Sequence, residues 1–215
     1  MSALIAAAAA GPLAVGWPLH AWRLRRRIET ARRDPLTNLP TRAAFERDAA
    51  RLMDHVSGAV VVVIDLDGFK QVNDTYGHEV GDRVIERAGA DLAEWNADCA
   101  GGVVARLGGD EFVACLSAPD PHRAHLALSG LHGLLTAPLW CRDQAVAVGA
   151  SVGGCWLPDP SAEDLPAMLR RADEAMYTAK RAGGGVFVTD QRVPTWPSVN
   201  GRRSGRRGTT KGGRS

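Results

Sequence analysis

Cysteine is scarce in this sequence, and its spacing suggests no shared task. The four residues, Cys99, Cys115, Cys141 and Cys155, form no C-x-x-C pair and no His-Cys ligand spacing. Nothing in that spacing suggests a disulfide framework or a zinc site, and a reducing compartment fits best. Cys115 and Cys155 lie inside apolar runs and read as small buried hydrophobes. A strong net charge is also missing, since 26 Lys+Arg stand against 24 Asp+Glu. The balance hides a division. Residues 1–33 hold six Arg and one Glu, and residues 201–215 hold six basic residues and no acid. The stretch 34–200 holds 14 basic against 23 acidic residues, or about −9. An acidic body between basic ends does not suit a nucleic-acid-binding core, and no specific nucleic-acid binding is expected.

What is present falls into four segments: 1–22, 23–33, 34–190 and 191–215. SALIAAAAAGPLAVGWPLHAW is apolar for roughly 20 residues, the span of a bilayer crossing, which makes 1–22 a candidate membrane anchor. RLRRRIETARR follows as a positive flank that would hold that side in the cytoplasm, and it doubles as a short stalk helix for a second copy. A signal peptide fits less well, because no basic residue precedes the apolar run. At the other end, 191–215 is rich in Pro, Gly, Ser, Thr and Arg and reads as a disordered basic tail. Such a tail is a candidate electrostatic tether to membrane or nucleic acid, with solvated disorder as the plainer reading.

Between these ends the periodicity changes repeatedly. TRAAFERDAARLMDHV, with Thr41 as N-cap, sets Ala44, Phe45, Ala49, Leu52 and Val56 on one helical stripe. AVVVVIDLD is a β-branched run, predicted as a strand buried on both faces. GHEVGDRVIERAGADLAEW predicts a helix with Val80, Val84, Ile85, Ala88, Leu92 and Trp95 inward. GVVARLGGDEFVACLS predicts a hairpin turning at Gly108 and Gly109. A helix over PHRAHLALSGLHGLL and one bent strand over QAVAVGASVGGCWL follow. Then come a helix capped by Asp164 and a last strand, GVFVTD. The order predicts an α+β fold of the ferredoxin-like kind, a mainly antiparallel central sheet flanked by helices.

The chemistry gathers at strand ends. Alternation puts Asp65 and Asp67 on one face of the first strand, with Lys70, Asn73 and Asp74 close behind. The hairpin tip supplies Asp110 and Glu111. If the hairpin lies beside the first strand, Asp65 comes within reach of both. Carboxylates converging without paired cations call for a divalent ion, and hard oxygen donors favour Mg²⁺ or Mn²⁺ acting with substrate phosphates. Gly108 and Gly109 leave room for a phosphate or ribose to approach the backbone.

The motif GGDEF at 108–112 resembles the signature of the GGDEF family, the diguanylate cyclases, and the likeness runs over about 34–190. DPLTNLPTR is similar to the family's opening D-x-L-T-x-L-x-N-R, and DLDGFKQVNDTYGHEVGD to its central D-x-D-x-F-K-x-x-N-D-x-x-G-H-x-x-G-D block. ASVGG stands at its S-x-G strand, and RADEAMYTAKRAGG resembles its closing A-D-x-A-x-Y-x-A-K-x-x-G segment. The resemblance implies a nucleotide-cyclase palm fold in which two domains, each holding one GTP, meet face to face. Each 3′-OH attacks the other nucleotide's α-phosphate, giving cyclic dimeric GMP (c-di-GMP) and two pyrophosphates. It implies that Asp65, the Leu66 carbonyl and Asp110 bind the metal. Glu111 then serves at the 3′-OH and in metal binding, while Asn73 and Asp82 read the guanine edge. Phe69, Lys70 and Lys180 neutralise or line the triphosphate, with Gly108, Gly109 and Arg106 nearby. Arg106 and Lys180 also admit plainer readings, as a carboxylate partner and a solvated helix residue. His78 reads as structural.

Three departures qualify the resemblance. Thr41 replaces the usual Asn before Arg42, a change between two capping residues. Gly184 and Gly185 stand where the family commonly has Arg-Asn, removing one cation from the phosphates. The R-x-x-D product site is replaced by CAGG at 99–102, with neither charge. The competing function is a catalytically weak or inactive GGDEF module that binds GTP or c-di-GMP for signalling. The 33 residues before the domain are too few for a PAS, receiver or GAF-sized sensor, so regulation is expected through the anchor or stalk, a partner chain or expression level.

Overall fold

The structure is a computed structural model describing residues 33–99, 101–141, 144–160 and 163–190. The anchor, the tail and all of the stalk before Arg33 lie outside the described residues. Among the described residues, no helix is long and apolar enough to cross a membrane.

The chain runs α1 (Arg42–Met53), β1 (Ala59–Asp67), α2 (Phe69–Tyr76), α3 (His78–Asp98), β2 (Val103–Gly108) and β3 (Glu111–Ser117). It continues through α4 (Pro121–Leu135), β4 (Leu139–Cys141), β5 (Gln144–Val146), β6 (Gly149–Leu157), α5 (Leu165–Arg181) and β7 (Gly185–Thr189). Five strands form one sheet in the order β2-β3-β1-β6-β7. β1 lies at its centre, antiparallel to β3 and to β6, and β7 pairs in parallel with β6. This is the α+β nucleotide-cyclase palm.

Period-two alternation along β1 divides the core. Val60, Val62, Ile64 and Leu66 pack with Val84, Ile85 and Leu92 of α3 and with Leu128 and Leu131 of α4. Val61 and Val63 face the opposite way, onto Phe45 and Ala49 of α1 and Met168, Ala172 and Met176 of α5. Both faces are covered, so β1 carries an unbroken buried run from Ala59 to Leu66. Asp65 and Asp67 share the odd-numbered phase and therefore emerge on the α5 side.

Three local expectations are revised. QAVAVGASVGGCWL is not one strand: β5 closes a separate two-stranded sheet with β4, and β6 begins afresh at Gly149. Residues 147–148 carry no regular structure, so the apolar run passes between two sheets without a break in composition. The stretch after β1, for which the sequence patterning predicts no element, is helix α2, entered through Gly68 at φ 75°. Thr41 occupies the N-cap of α1 in extended conformation, but its side chain makes no capping bond. Asp164 does cap α5, accepting from the Ala167 N–H at 2.8 Å.

Candidate active site

The register of the central strands assembles the site. Asp65 stands directly opposite Glu111 on β3 and opposite Ser151 on β6. Directly opposed residues project from the same face, so Asp65 and Glu111 share the α5 side. The hairpin tip is tied to β1 through the Leu66 N–H, which donates to the Asp110 carbonyl at 3.2 Å. Gly108 and Gly109 have φ values of 139° and 57° and open space where a Cβ would sit. The turn thus needs glycine and leaves its backbone approachable.

Arg106 braces that turn. Its guanidinium donates to the Gly109 carbonyl at 2.8 and 3.1 Å and pairs with Asp34 at 2.9 Å. Partial burial pushes the Asp34 carboxyl up. Hydrogen bonds from the Thr37 N–H, from Arg106 and from the Thr37 hydroxyl outweigh that and hold it below the usual carboxylate value. Arg106 therefore links the D-x-L-T stretch to the GGDEF turn.

Lys180 comes from the last turn of α5 and pairs with Asp65, whose side chain is 2% exposed. Its ammonium also lies 3.4 Å from Asp67 Oδ1. Partial burial pushes the lysine down, but the Asp65 and Asp67 carboxylates together raise it above its ordinary value. The local sequence around these carboxylates offers no paired cation, and the fold supplies one from 115 residues away.

The nucleotide-reading candidates lie beyond β1. Phe69 packs partly buried against the core at the start of α2, while Lys70 is exposed beside it. Asn73 lies on α2 over Gly81, where an added Cβ would fall 1.9 Å from Asn73 Oδ1. Gly81 precedes the exposed Asp82, so the fold brings the Asn amide beside the helix turn carrying that carboxylate. Asp67, Ser151 and Asp173 received no role from sequence. Ser151 is fully buried and its hydroxyl donates to Asp67 Oδ2 at 2.7 Å. Burial, then Glu174 and Asp65, push the Asp173 carboxyl up. A serine flanked by small and apolar residues in VGASVGG was the available signal for Ser151.

A divalent ion suits these donors. Asp67 Oδ1 is buried, and its one close polar neighbour among the described residues is the Lys180 ammonium at 3.4 Å, so the spot already attracts a cation. Among the described residues, no ready-made group of three His, Cys, Asp or Glu side chains surrounds one ion. The Leu66 carbonyl would complete a set built on Asp65 and Asp110, with hard oxygens matching Mg²⁺ or Mn²⁺.

A sequence model of the family described as "Diguanylate cyclase, GGDEF domain" matches residues 31–185. The chain belongs to the GGDEF family. This GGDEF chain is 39% identical over 166 residues to an uncharacterized 19.3 kDa protein of Streptomyces ambofaciens, covering 77% of this chain and 87% of that one. It is 34% identical over 157 residues to diguanylate cyclase DgcP of Pseudomonas aeruginosa, covering 70% of this chain but 22% of DgcP. Among solved structures, the coiled coil and GGDEF domain of DgcB from Caulobacter crescentus, in complex with c-di-GMP, superposes with a TM-score of 0.68. That pair is 28% identical and covers 81% of this chain and 96% of that one. Gly184 and Gly185 follow α5 with φ of 99° and 103°. A Cβ at Gly184 would stand 3.2 Å from Asp67 Oδ2.

Proposed function

We propose that this GGDEF domain acts in c-di-GMP signalling as a diguanylate cyclase, condensing two GTP into c-di-GMP with release of two pyrophosphates. The observation that carries this is the β1–β3 register, which sets Asp65 opposite Glu111 with Asp110 hydrogen-bonded to the next residue of β1. Glu111 takes the proton of the 3′-OH as that oxygen bonds to the α-phosphorus of the other nucleotide and the bond to pyrophosphate breaks. Asn73 and Asp82 orient guanine, and Lys70 and Lys180 face the phosphates. The open Gly108–Gly109 backbone lets the nucleotide close on the turn. Mg²⁺ or Mn²⁺, held by Asp65, the Leu66 carbonyl, Asp110 and Glu111, would neutralise phosphate charge. Each domain presents half a reaction centre, so the working unit is a homodimer.

The test is incubation of purified protein with GTP and Mg²⁺, with separation of products by chromatography and mass spectrometry. c-di-GMP in the product pool supports the reading. Its absence from a demonstrably dimeric preparation favours a binding-only signalling module. Gly184 in place of a phosphate-binding cation is the observation that favours this second reading. Membrane attachment through 1–22 is tested by fractionating cells that express the full chain and a 34–190 chain.

Two further outcomes follow from the geometry. Gly81→Ala forces aside the Asn73 amide, a flexible side-chain end, so the fold survives while guanine recognition suffers. The KM for GTP is expected to rise about tenfold with little change in Tm, the worth of one well-placed hydrogen bond. Steady-state kinetics with GTP checks it, and an unchanged KM counts against Asn73 as a guanine reader. Added c-di-GMP is expected to leave initial rates unaffected through residues 99–102, which carry neither charge of R-x-x-D. Inhibition abolished by changes at 99–102 would refute this.

A further inference from the structure

The least expected contact in the site is a lysine lodged among the carboxylates assigned to metal. Asp65 is buried and paired with Lys180. Asp67 is anchored through Oδ2 by the buried Ser151 hydroxyl, which aims Oδ1 toward the ammonium at 3.4 Å. With Glu111 directly across from Asp65, the face carries several negative groups in a small volume. A buried carboxylate stripped of its counter-ion is strongly unfavourable, so a nucleotide-free site needs a cation of its own.

We propose that Lys180 is that resident cation, that Asp67 and Ser151 position it, and that a divalent ion enters by exchange with it. The ion replaces the ammonium on Asp65, and Lys180 swings to the phosphates accompanying the ion, so Asp65 stays compensated throughout. The lysine side chain is 43% exposed and stands on a flexible four-carbon stem, so the swing leaves α5 in place. Exchange makes divalent-ion binding weak without nucleotide, because the ion must first displace the lysine. Nucleotide offers the displaced ammonium a new partner, so ion and nucleotide favour each other's binding. The inference rests on the cyclase reading for the destination of Lys180, but its test does not.

The test measures Mn²⁺ binding by electron paramagnetic resonance, without nucleotide, to the full chain and to its Lys180→Gln variant. Glutamine keeps a polar head and removes the charge. The variant is expected to bind Mn²⁺ about tenfold or more tightly than the unmutated protein, since the competitor is gone. A lysine that is only a strut between α5 and β1 predicts a lower Tm with no gain in Mn²⁺ affinity. Equal or weaker binding by the variant, or no binding by either protein, overturns the proposal. If the variant does not fold, the unmutated chain still decides the matter. Its three lysines, Lys70, Lys180 and Lys211, can be followed by NMR on isotope-labelled side chains. Under Mg²⁺ concentrations matched to measured Mn²⁺ occupancy, the Lys180 signal is expected to move toward those of exposed lysines. A signal that stays in place while the ion binds overturns the proposal. Both measurements omit nucleotide, so a protein that forms no c-di-GMP can still pass or fail them.

Discussion

Glu111→Gln is expected to reduce c-di-GMP formation by about a thousandfold or more while leaving the domain as stable as before, or more so. Removing a general base costs about 10²–10⁴ in rate, and metal binding through the same carboxylate adds to the loss. The stability half of the expectation comes from the sheet. Glu111 and Asp65 are directly opposed across the β1–β3 ladder, and like charges so placed destabilise a pair. Lys180 compensates Asp65 from the neighbouring helix, which relieves part of that opposition. Glutamine keeps the shape, can hydrogen-bond in either sense and removes one charge. Product analysis and a thermal melt on one preparation therefore read two consequences of one geometry. Lost activity with an unchanged or raised Tm places Glu111 in the chemistry. A large fall in Tm would instead make it a structural residue of the hairpin.

How far the sequence reached depended on what each signal encoded. The unbroken run AVVVVIDLD encoded a central strand directly, because burial on both faces removes the need for polar alternation. The helical stripes of α1 and α3 were legible through their 3.6-residue spacing: Ala44, Phe45 and Ala49 of α1 and Val80, Val84, Ile85, Ala88, Leu92 and Trp95 of α3 are buried, although α1 stops at Met53, short of Val56. Gly108 and Gly109 marked the turn, and the register then placed Asp65 against Glu111. Contacts between distant segments were not legible. Nothing in RADEAMYTAKRAGG states that its lysine reaches Asp65, because that contact depends on how closely α5 approaches the sheet. Ser151 was hidden similarly, since its role appears only when β6 lies beside β1. The division between β5 and β6 escaped because a continuous apolar run carries no mark of which sheet each half joins.

That close approach of α5 sets the second large effect. Gly153 lies on β6 in the phase that faces α5, paired with Val63 on one side and Phe187 on the other. A Cβ added there would fall 2.0 Å from the Met176 backbone nitrogen and 2.2 Å from the Ala172 carbonyl oxygen. These are backbone atoms of a helix interior, so no side chain can rotate away to make space. Gly153→Ala must push α5 off the sheet, and Ala172, Ala175 and Ala179 show how small that interface is kept. Overpacking against backbone is expected to cost about 3 kcal/mol or more, toward the severe end for single substitutions. For a domain of this size that lowers Tm by roughly 6–12 °C. The same displacement carries Lys180 away from Asp65, because the lysine sits on the last turn of the displaced helix. Gly153→Ala should therefore loosen the Asp65–Lys180 pair as well as the fold. Isotope-labelled lysine NMR below the lowered Tm would show the Lys180 signal already near the exposed position. A variant that melts early but keeps that signal in place would mean that α5 tilts about its C-terminal turn, leaving the site whole while its support fails.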